Sequence, residues 1–266
     1  MERPKRSTAT CIMRLLLLLA CLPLFAQQPD TQLIARQAIA AEIRQFAELG
    51  EFTFQFDSTA RRFSRSGKLT SEETQSGETY MSHRRNVDIL LNRNGKPLKP
   101  TDLEKRRKSA MASLEADAKI RQAKNYKETP LENRPGPGFR RNKLAMSGVD
   151  VLRYCRLQAL TWVHLKFDTC KSPWPGQAHY AQIKGELTLD PETRVIQSWR
   201  AYSPRGGLVY EYTTQPAPGG ARVLAGIHLN LHVAPELFDE PIELIYRWSK
   251  PQRFSVAVEQ SIAPPQ

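Results

Sequence analysis

Phe52, Phe54 and Phe56 alternate with Thr53, Gln55 and Asp57, and the same period of two returns where Val163, Leu165 and Phe167 alternate with Trp162, His164, Lys166 and Asp168. Successive side chains of a strand point to opposite faces, so each run describes a strand with one apolar side and one wet side. Residues 58–93 read as an antiparallel meander with turns at Ser66-Gly67 and Ser76-Gly77, an apolar strand at 87–91 and a closing turn at Asn94-Gly95. Further strands are predicted over 183–189, 194–202, 208–213, 222–233, 242–248 and 254–258, with Asp190-Pro191 and Gly219-Gly220 as turns. Strands in uninterrupted series exclude a doubly wound parallel sheet. They predict an α+β chain built on one antiparallel sheet.

Helical spacing occurs in three places. Leu33, Ile34, Ala38, Ile43, Phe46 and Ala47 mark a helix over 31–49 that stops at Gly50. After Pro97 and Pro100 a second helix is predicted from Thr101, where Thr101 and Glu104 have the spacing of a capping box. Its apolar stripe is thin (Leu103, Ala110, Met111, Leu114, Ala118) and the rest of its surface is charged, which predicts contact along one narrow edge. Residues 147–155 suit a short helix capped by Ser147, although the composition also fits a strand.

The first 26 residues place charge, an apolar run and a small residue in that order: Arg3, Lys5, Arg6 and Arg14, then Leu15 to Phe25, then Ala26. This is the build of a secretory signal peptide, and the apolar run of about 11 residues is well short of the roughly 20 that a spanning helix needs. Removal of 1–26 leaves 27–266 as a single domain. Leu18-Leu19-Ala20-Cys21 is the competing processing site, at which an acylated Cys21 would tether the product to the outer membrane. Either route predicts a periplasmic or secreted protein.

Charge is concentrated between residues 60 and 143, where 21 Lys and Arg stand against 10 Asp and Glu. For an exported chain the matching polyanion is a membrane or glycan surface and not nucleic acid. Arg61, Arg62, Arg84 and Arg85 with Lys105, Arg106, Arg107 and Lys108 are the candidate anionic-surface residues; a basic face that serves only solubility is the alternative. Beyond the leader only Cys155 and Cys170 remain, free to pair in an oxidising compartment or to stay as buried thiols.

The strand Phe52-Thr53-Phe54-Gln55, the turn Asn94-Gly95-Lys96-Pro97-Leu98 before a charged helix, the segment Gly185-Glu186-Leu187-Thr188-Leu189-Asp190 and the stretch from Tyr246-Arg247-Trp248 to Arg253-Phe254 fall in a telling order. The order resembles that of secreted bacterial proteins related to the LolA-like superfamily of outer-membrane lipoprotein-sorting proteins. Thr188 departs from the pattern, which often has Trp there, and the polar lid residues of true lipoprotein carriers have no counterpart. The resemblance implies a curved, unclosed antiparallel β-barrel, a half-barrel, with two or three helices covering its concave apolar face. It implies lipid or lipoprotein acyl chains as ligand, and the chain's own motifs lead us to expect no cofactor and no catalysis.

Phe52, Phe54, Phe56, Val163, Leu165 and Phe167 are the candidate ligand-binding residues of that face. Such a face is covered either by the chain itself or by an apolar guest. If the core is filled, an envelope scaffold with a basic surface is the alternative function. Two weaker constellations point to an enzyme. His228, Asn230 and His232 would share a strand face and offer two imidazoles to a metal, with Asp239 or Glu240 as a third ligand. His164 and Asp168 could begin a hydrolase mechanism, but no Gly-x-Ser-x-Gly elbow or phosphate-cradling loop accompanies them.

Overall fold

The computed structural model describes residues 29–48, 52–81, 86–122, 147–171, 181–237 and 241–253. Three helices, α1 (Thr31–Glu48), α2 (Pro100–Gln122) and α3 (Gly148–Tyr154), accompany eleven strands among these residues. The strands are β1 (Phe52–Phe63), β2 (Leu69–Met81), β3 (Asn86–Arg93), β4 (Lys96–Pro97), β5 (Arg156–Ala159), β6 (His164–Asp168), β7 (Lys184–Leu189), β8 (Ile196–Tyr202), β9 (Leu208–Pro216), β10 (Arg222–Asn230) and β11 (Ile242–Arg253). All lie in one sheet in the order β4-β3-β2-β1-β11-β10-β9-β8-β7-β6-β5, and β1 joins the two meanders by pairing antiparallel with β11. The sheet is open at β4 and β5, which makes the fold an unclosed, curved half-barrel of the α+β class. The predicted strand over 254–258 and the stop at Gly50 lie outside the described residues.

Cross-strand registry assigns every side chain to a face, since residues directly opposite share one. Phe56 faces Trp248 across β1 and β11, Tyr246 faces Ile227, Ile227 faces Tyr212, Tyr212 faces Trp199, Trp199 faces Leu187 and Leu187 faces Leu165. One continuous apolar face therefore runs from β1 to β6. The sheet bends toward this side: Trp248 Nε1 on β11 reaches over β1 to donate to Thr79 Oγ1 on β2 at 3.3 Å.

α1 and α3 close the concave face over β5 to β9, where Ile34, Ala38, Val151 and Leu152 pack on Leu165, Phe167, Leu187 and Trp199. Asp30 starts α1 by accepting the amides of Gln32 and Leu33. The helix then crosses one end of the sheet, held by three side-chain oxygens: Thr31 accepts the Ala159 amide, Glu42 that of Ile196 and Gln45 that of Arg222. Ser147 and Asp150 form a full capping box on α3, as the short-helix reading expects. Cys155 at its end pairs with Cys170 and pins β5 to the chain that follows β6.

α2 corrects two expectations. Tyr80 stands opposite Thr53 and Val87, and Glu78 opposite Gln55 and Ile89, which puts Tyr80 and Ile89 on the side of the sheet away from Phe52, Phe54 and Phe56. Ala110 and Leu114 of α2 pack on Tyr80 and Ile89, so α2 covers the convex side and not the concave one. The capping box at Thr101 and Glu104 does not form either. Lys99 supplies the carbonyl for the first turn, Pro100 takes the first helical position that suits its missing N–H, and Glu104 pairs with Lys108 instead.

Ser76-Gly77 is the third correction: it lies inside β2 and makes no turn. A Cβ at Gly77 would stand 2.1 Å from the carbonyl oxygen of Ile89 and 2.9 Å from the Phe56 ring, so the glycine is there for close approach at the bulge between β2 and β3. Asn94 and Gly95, with φ of 51° and 73°, do form the tight turn from β3 to β4.

Candidate functional site on the concave face

Five of the six predicted lining residues (Phe52, Phe54, Phe56, Leu165 and Phe167) are buried on the concave face, and Val163, just before β6, is half-buried. They do not form one pocket. Six strand spacings separate β1 from β6, about 29 Å along the sheet. Leu165 and Phe167 lie beneath α1 and α3, while Phe52 and Phe54 belong to a separate cluster with Val223.

Between these ends lies an aromatic band that the single-strand patterns missed. Trp199 stacks on Tyr210 with centroids 4.4 Å apart and meets Phe167 edge-on at 6.2 Å; Tyr246 stacks on Trp248 at 5.6 Å. The signal was present as aromatics two apart in Tyr210 and Tyr212 and in Tyr246 and Trp248. What hid it was the need to know that β9 and β11 are central strands. Along β11 the concave-side residues Ile242, Leu244, Tyr246 and Trp248 are each only partly buried, in contrast to Leu165, Leu187 and Leu189 beneath the helices.

Polar groups on this face are few and biased toward neutrality. Burial pushes the Glu42 carboxyl up to about 7 against the lowering effect of its bond from the Ile196 amide, 2.6 Å away. Tyr212 beside it is raised by burial and by the Glu42 charge, and Tyr210 by burial alone. At the other end the Thr79 hydroxyl donates to Asp88, whose side chain is exposed, at 2.7 Å. The Nε1–H of Trp199 is buried with no acceptor. A surface of aromatic rings with protonated or neutral tips suits an apolar or amphipathic guest better than an ion.

The convex face is of the opposite character. His228, Glu243, Arg61 and Glu72 form a chain across β10, β11, β1 and β2, with His228 Nε2 to Glu243 at 2.8 Å, Arg61 to Glu243 at 3.0 Å and Arg61 to Glu72 at 2.6 Å. Burial alone would raise the Glu243 carboxyl; the bonds from Arg61 and His228 overcome it and hold the group below its usual range. Arg200 bridges Glu211 and Glu186 further along, His164 lies 3.4 Å from Glu186, and Arg156 binds Asp168.

These pairs account for the weaker constellations. β10 ends at Asn230, so His232 leaves the row expected for His228 and stacks on Phe63 at 4.0 Å. Asp239 and Glu240 lie outside the described residues, and among those described no three His, Cys, Asp or Glu side chains gather as a metal site. His164 and Asp168 each take a different partner and form no dyad.

The basic residues are dispersed as well. Arg61 is tied to two carboxylates on the convex side, and Arg62 faces the other way. Lys105, Arg106 and Lys108 are exposed on α2 with Arg107 half-buried, and Arg84 and Arg85 lie outside the described residues. A hollow of about 150 Å³ between β3 and α2 is lined by Val87, Asp88, Arg106, Ser109, Ala110 and Ser113. It is half the roughly 300 Å³ of a small ligand pocket, and it is polar.

No family model and no curated protein matches the chain. Solved structures are similar to it, each with a TM-score below 0.5. A DUF1329 family protein from Desulfovibrio piger is 11% identical, covers 84% of this chain and 97% of its own, and superposes with a TM-score of 0.33. A LolA superfamily protein from Nitrosomonas europaea is 10% identical, with 85% and 94% covered and a TM-score of 0.33. A domain named for outer membrane lipoprotein sorting, from Vibrio parahaemolyticus, is 9% identical, with 86% and 100% covered and a TM-score of 0.35. These scores carry no functional argument.

Proposed function

We propose that this chain is an exported, non-enzymatic binding protein that holds a lipid or the acyl chains of a lipoprotein against the concave face of its half-barrel. The observation that carries the reading is the uneven cover of that face. α1 and α3 seal β5 to β9, α2 packs on the opposite side, and the apolar stripe Ile242, Leu244, Tyr246 and Trp248 of β11 is left partly open to solvent. Burying such a stripe beneath a guest gains roughly 25 cal/mol for each Å² withdrawn from water. The leader over 1–26 and the Cys155–Cys170 bond suit an oxidising compartment outside the cytosol, with 27–266 as the working domain and Cys21 as the site of a tether if the alternative processing occurs.

The envelope scaffold is the second reading, and a specific observation favours it: the chain itself already buries Phe52, Phe54, Phe56, Leu165 and Phe167. Titration with a dansyl-labelled fatty acid separates the two. A carrier binds the probe saturably, and Tyr246→Ala or Trp248→Ala weakens binding at least tenfold. Absence of saturable binding by the parent protein would sink the carrier and leave the scaffold.

A further inference from the structure

The two free edges of the sheet are finished differently. At one end β5 is four residues long and the Ala159 amide on its outer side is taken by Thr31 Oγ1 at 3.0 Å, so α1 blunts that edge. At the other end β4 is two residues long and pairs with β3 only at Asn92 and Arg93, with one further bond from the Leu98 amide to the Leu91 carbonyl. Among the described residues, nothing pairs with the outer side of β3 before Leu91.

Registry identifies the backbone groups that stand open there. Ile89 lies opposite Glu78, and its carbonyl points into β2, 2.1 Å from where a Cβ on Gly77 would stand. The backbone groups of successive residues point to alternate sides of an antiparallel strand, so those of Asp88 and Leu90 point outward. Each offers an amide and a carbonyl to solvent. A row of donors and acceptors at strand spacing is matched by one kind of occupant, another extended polypeptide.

α2 turns this edge into a groove. Ala110 and Leu114 pack on Tyr80 and Ile89, and the adjoining flank of the helix, Arg106, Ser109 and Ser113, meets Val87 and Asp88 around the hollow of about 150 Å³. A cavity of roughly this volume holds a benzene ring, so the hollow seats one side chain of an added strand. Asp88 and Arg106 bring one charge of each sign to its rim, and the serines bring hydroxyls, which together favour an uncharged side chain with a polar tip. A second copy paired along the same edge would set the Arg106 flanks of two helices side by side, like charge against like. The fitting occupant is a segment of a different chain.

We propose that the open edge of β3 binds an extended segment of a partner protein as an added strand, its main chain paired with Asp88 and Leu90 and one uncharged polar side chain seated against Ser109 and Ser113 of α2. The groove lies on the reverse side of the sheet from the concave face. It needs no guest there.

Fluorescence anisotropy of the whole protein with a labelled nine-residue peptide of alternating threonine and valine, flanked by lysines for solubility, tests the pairing. Binding is expected to saturate, and the same peptide N-methylated at every threonine and valine should bind at least tenfold more weakly, because it keeps the side chains and loses the amides. Ser109→Trp, at an exposed position, should fill the hollow and weaken binding at least tenfold, while Lys184→Ala on β7 changes it less than twofold. Hydrogen exchange resolved to single amides gives a readout independent of any variant: Asp88 and Leu90 should exchange fast in the free protein and at least tenfold more slowly with peptide bound. Absence of saturable binding, equal binding of the methylated peptide or undiminished binding by the Ser109 variant would each overturn the proposal. Slow exchange at both amides without peptide would overturn it too, by showing the edge already paired within the chain or with a second copy.

Discussion

Beneath α1 and α3, strands β5 to β9 form a two-layer core in which Leu165, Leu187 and Leu189 are fully buried; at the far end α2 packs on the reverse side of β2 and β3 through Ala110 and Leu114. The same sheet thus supports two cores on opposite faces, linked through β1 and β11. The first core is wide because two helices and five strands converge on it. The second is as narrow as the apolar stripe of α2 allows, and it leaves the concave side of β11 without that helix as cover. Placement of one helix therefore decides whether the hollow of a half-barrel is core or surface.

Removing one leucine from each core measures the difference. Leu165→Ala is expected to cost about 4 kcal/mol, and Leu114→Ala about 2 kcal/mol because a single helix can resettle over the smaller residue. Urea unfolding of both variants checks the totals. Hydrogen exchange checks the separation: the Leu114 variant should lose protection in α2 and β3 while α1 keeps its own. Equal costs, or loss of α1 protection in the Leu114 variant, would show one core in place of two.

Sequence patterns reached the strands and helices well and the faces poorly, for a physical reason. Period two in Phe52, Phe54 and Phe56 identifies a strand and its apolar side without any knowledge of neighbours. Which side of the sheet receives α2 depends on the registry of Tyr80 with Thr53 and Val87, a relation between segments that no local pattern carries. Gly77 misled for a related reason. A glycine that makes room for Phe56 and the Ile89 carbonyl looks like a turn glycine until the partner strand is known. Arg61 counted as a free cation in the sequence because Glu243, 182 residues away, is its neighbour only in the folded sheet.

Glu42 sharpens the comparison from the side of the larger core. Its carboxyl ionises near 7 in the fold and near 4.5 when solvated, so the folded chain binds the extra proton between those values. Stability from this group is complete below about 4.5 and is lost as pH rises to about 7. Glu42→Gln keeps an oxygen for the Ile196 amide and removes the charge. It should therefore leave stability at pH 4 unchanged and raise it at pH 8 by about 2 kcal/mol, less than the full shift implies because part of the side chain meets solvent. Melting curves across that range decide the matter, and a variant with the parental pH slope would place the Glu42 charge in water and not in the core.

The smallest effect belongs to the convex face, where Arg61 joins a half-exposed Glu72 to a more buried Glu243, whose side chains are 43% and 13% exposed. If the ladder only decorates a wet surface, both couplings are equal and weak. If it takes the place of a core on that side of β1, β10 and β11, the two couplings differ, since a charge shielded from water depends more on its partner. Double-mutant cycles should give about 0.3 kcal/mol between Arg61→Ala and Glu72→Gln and about 1 kcal/mol between Arg61→Ala and Glu243→Gln. Half-molar salt should erase the first and spare most of the second, because screening acts on solvated pairs. Equal couplings with equal salt sensitivity would reduce the ladder to solvated surface, with no part in holding β1, β10 and β11 together.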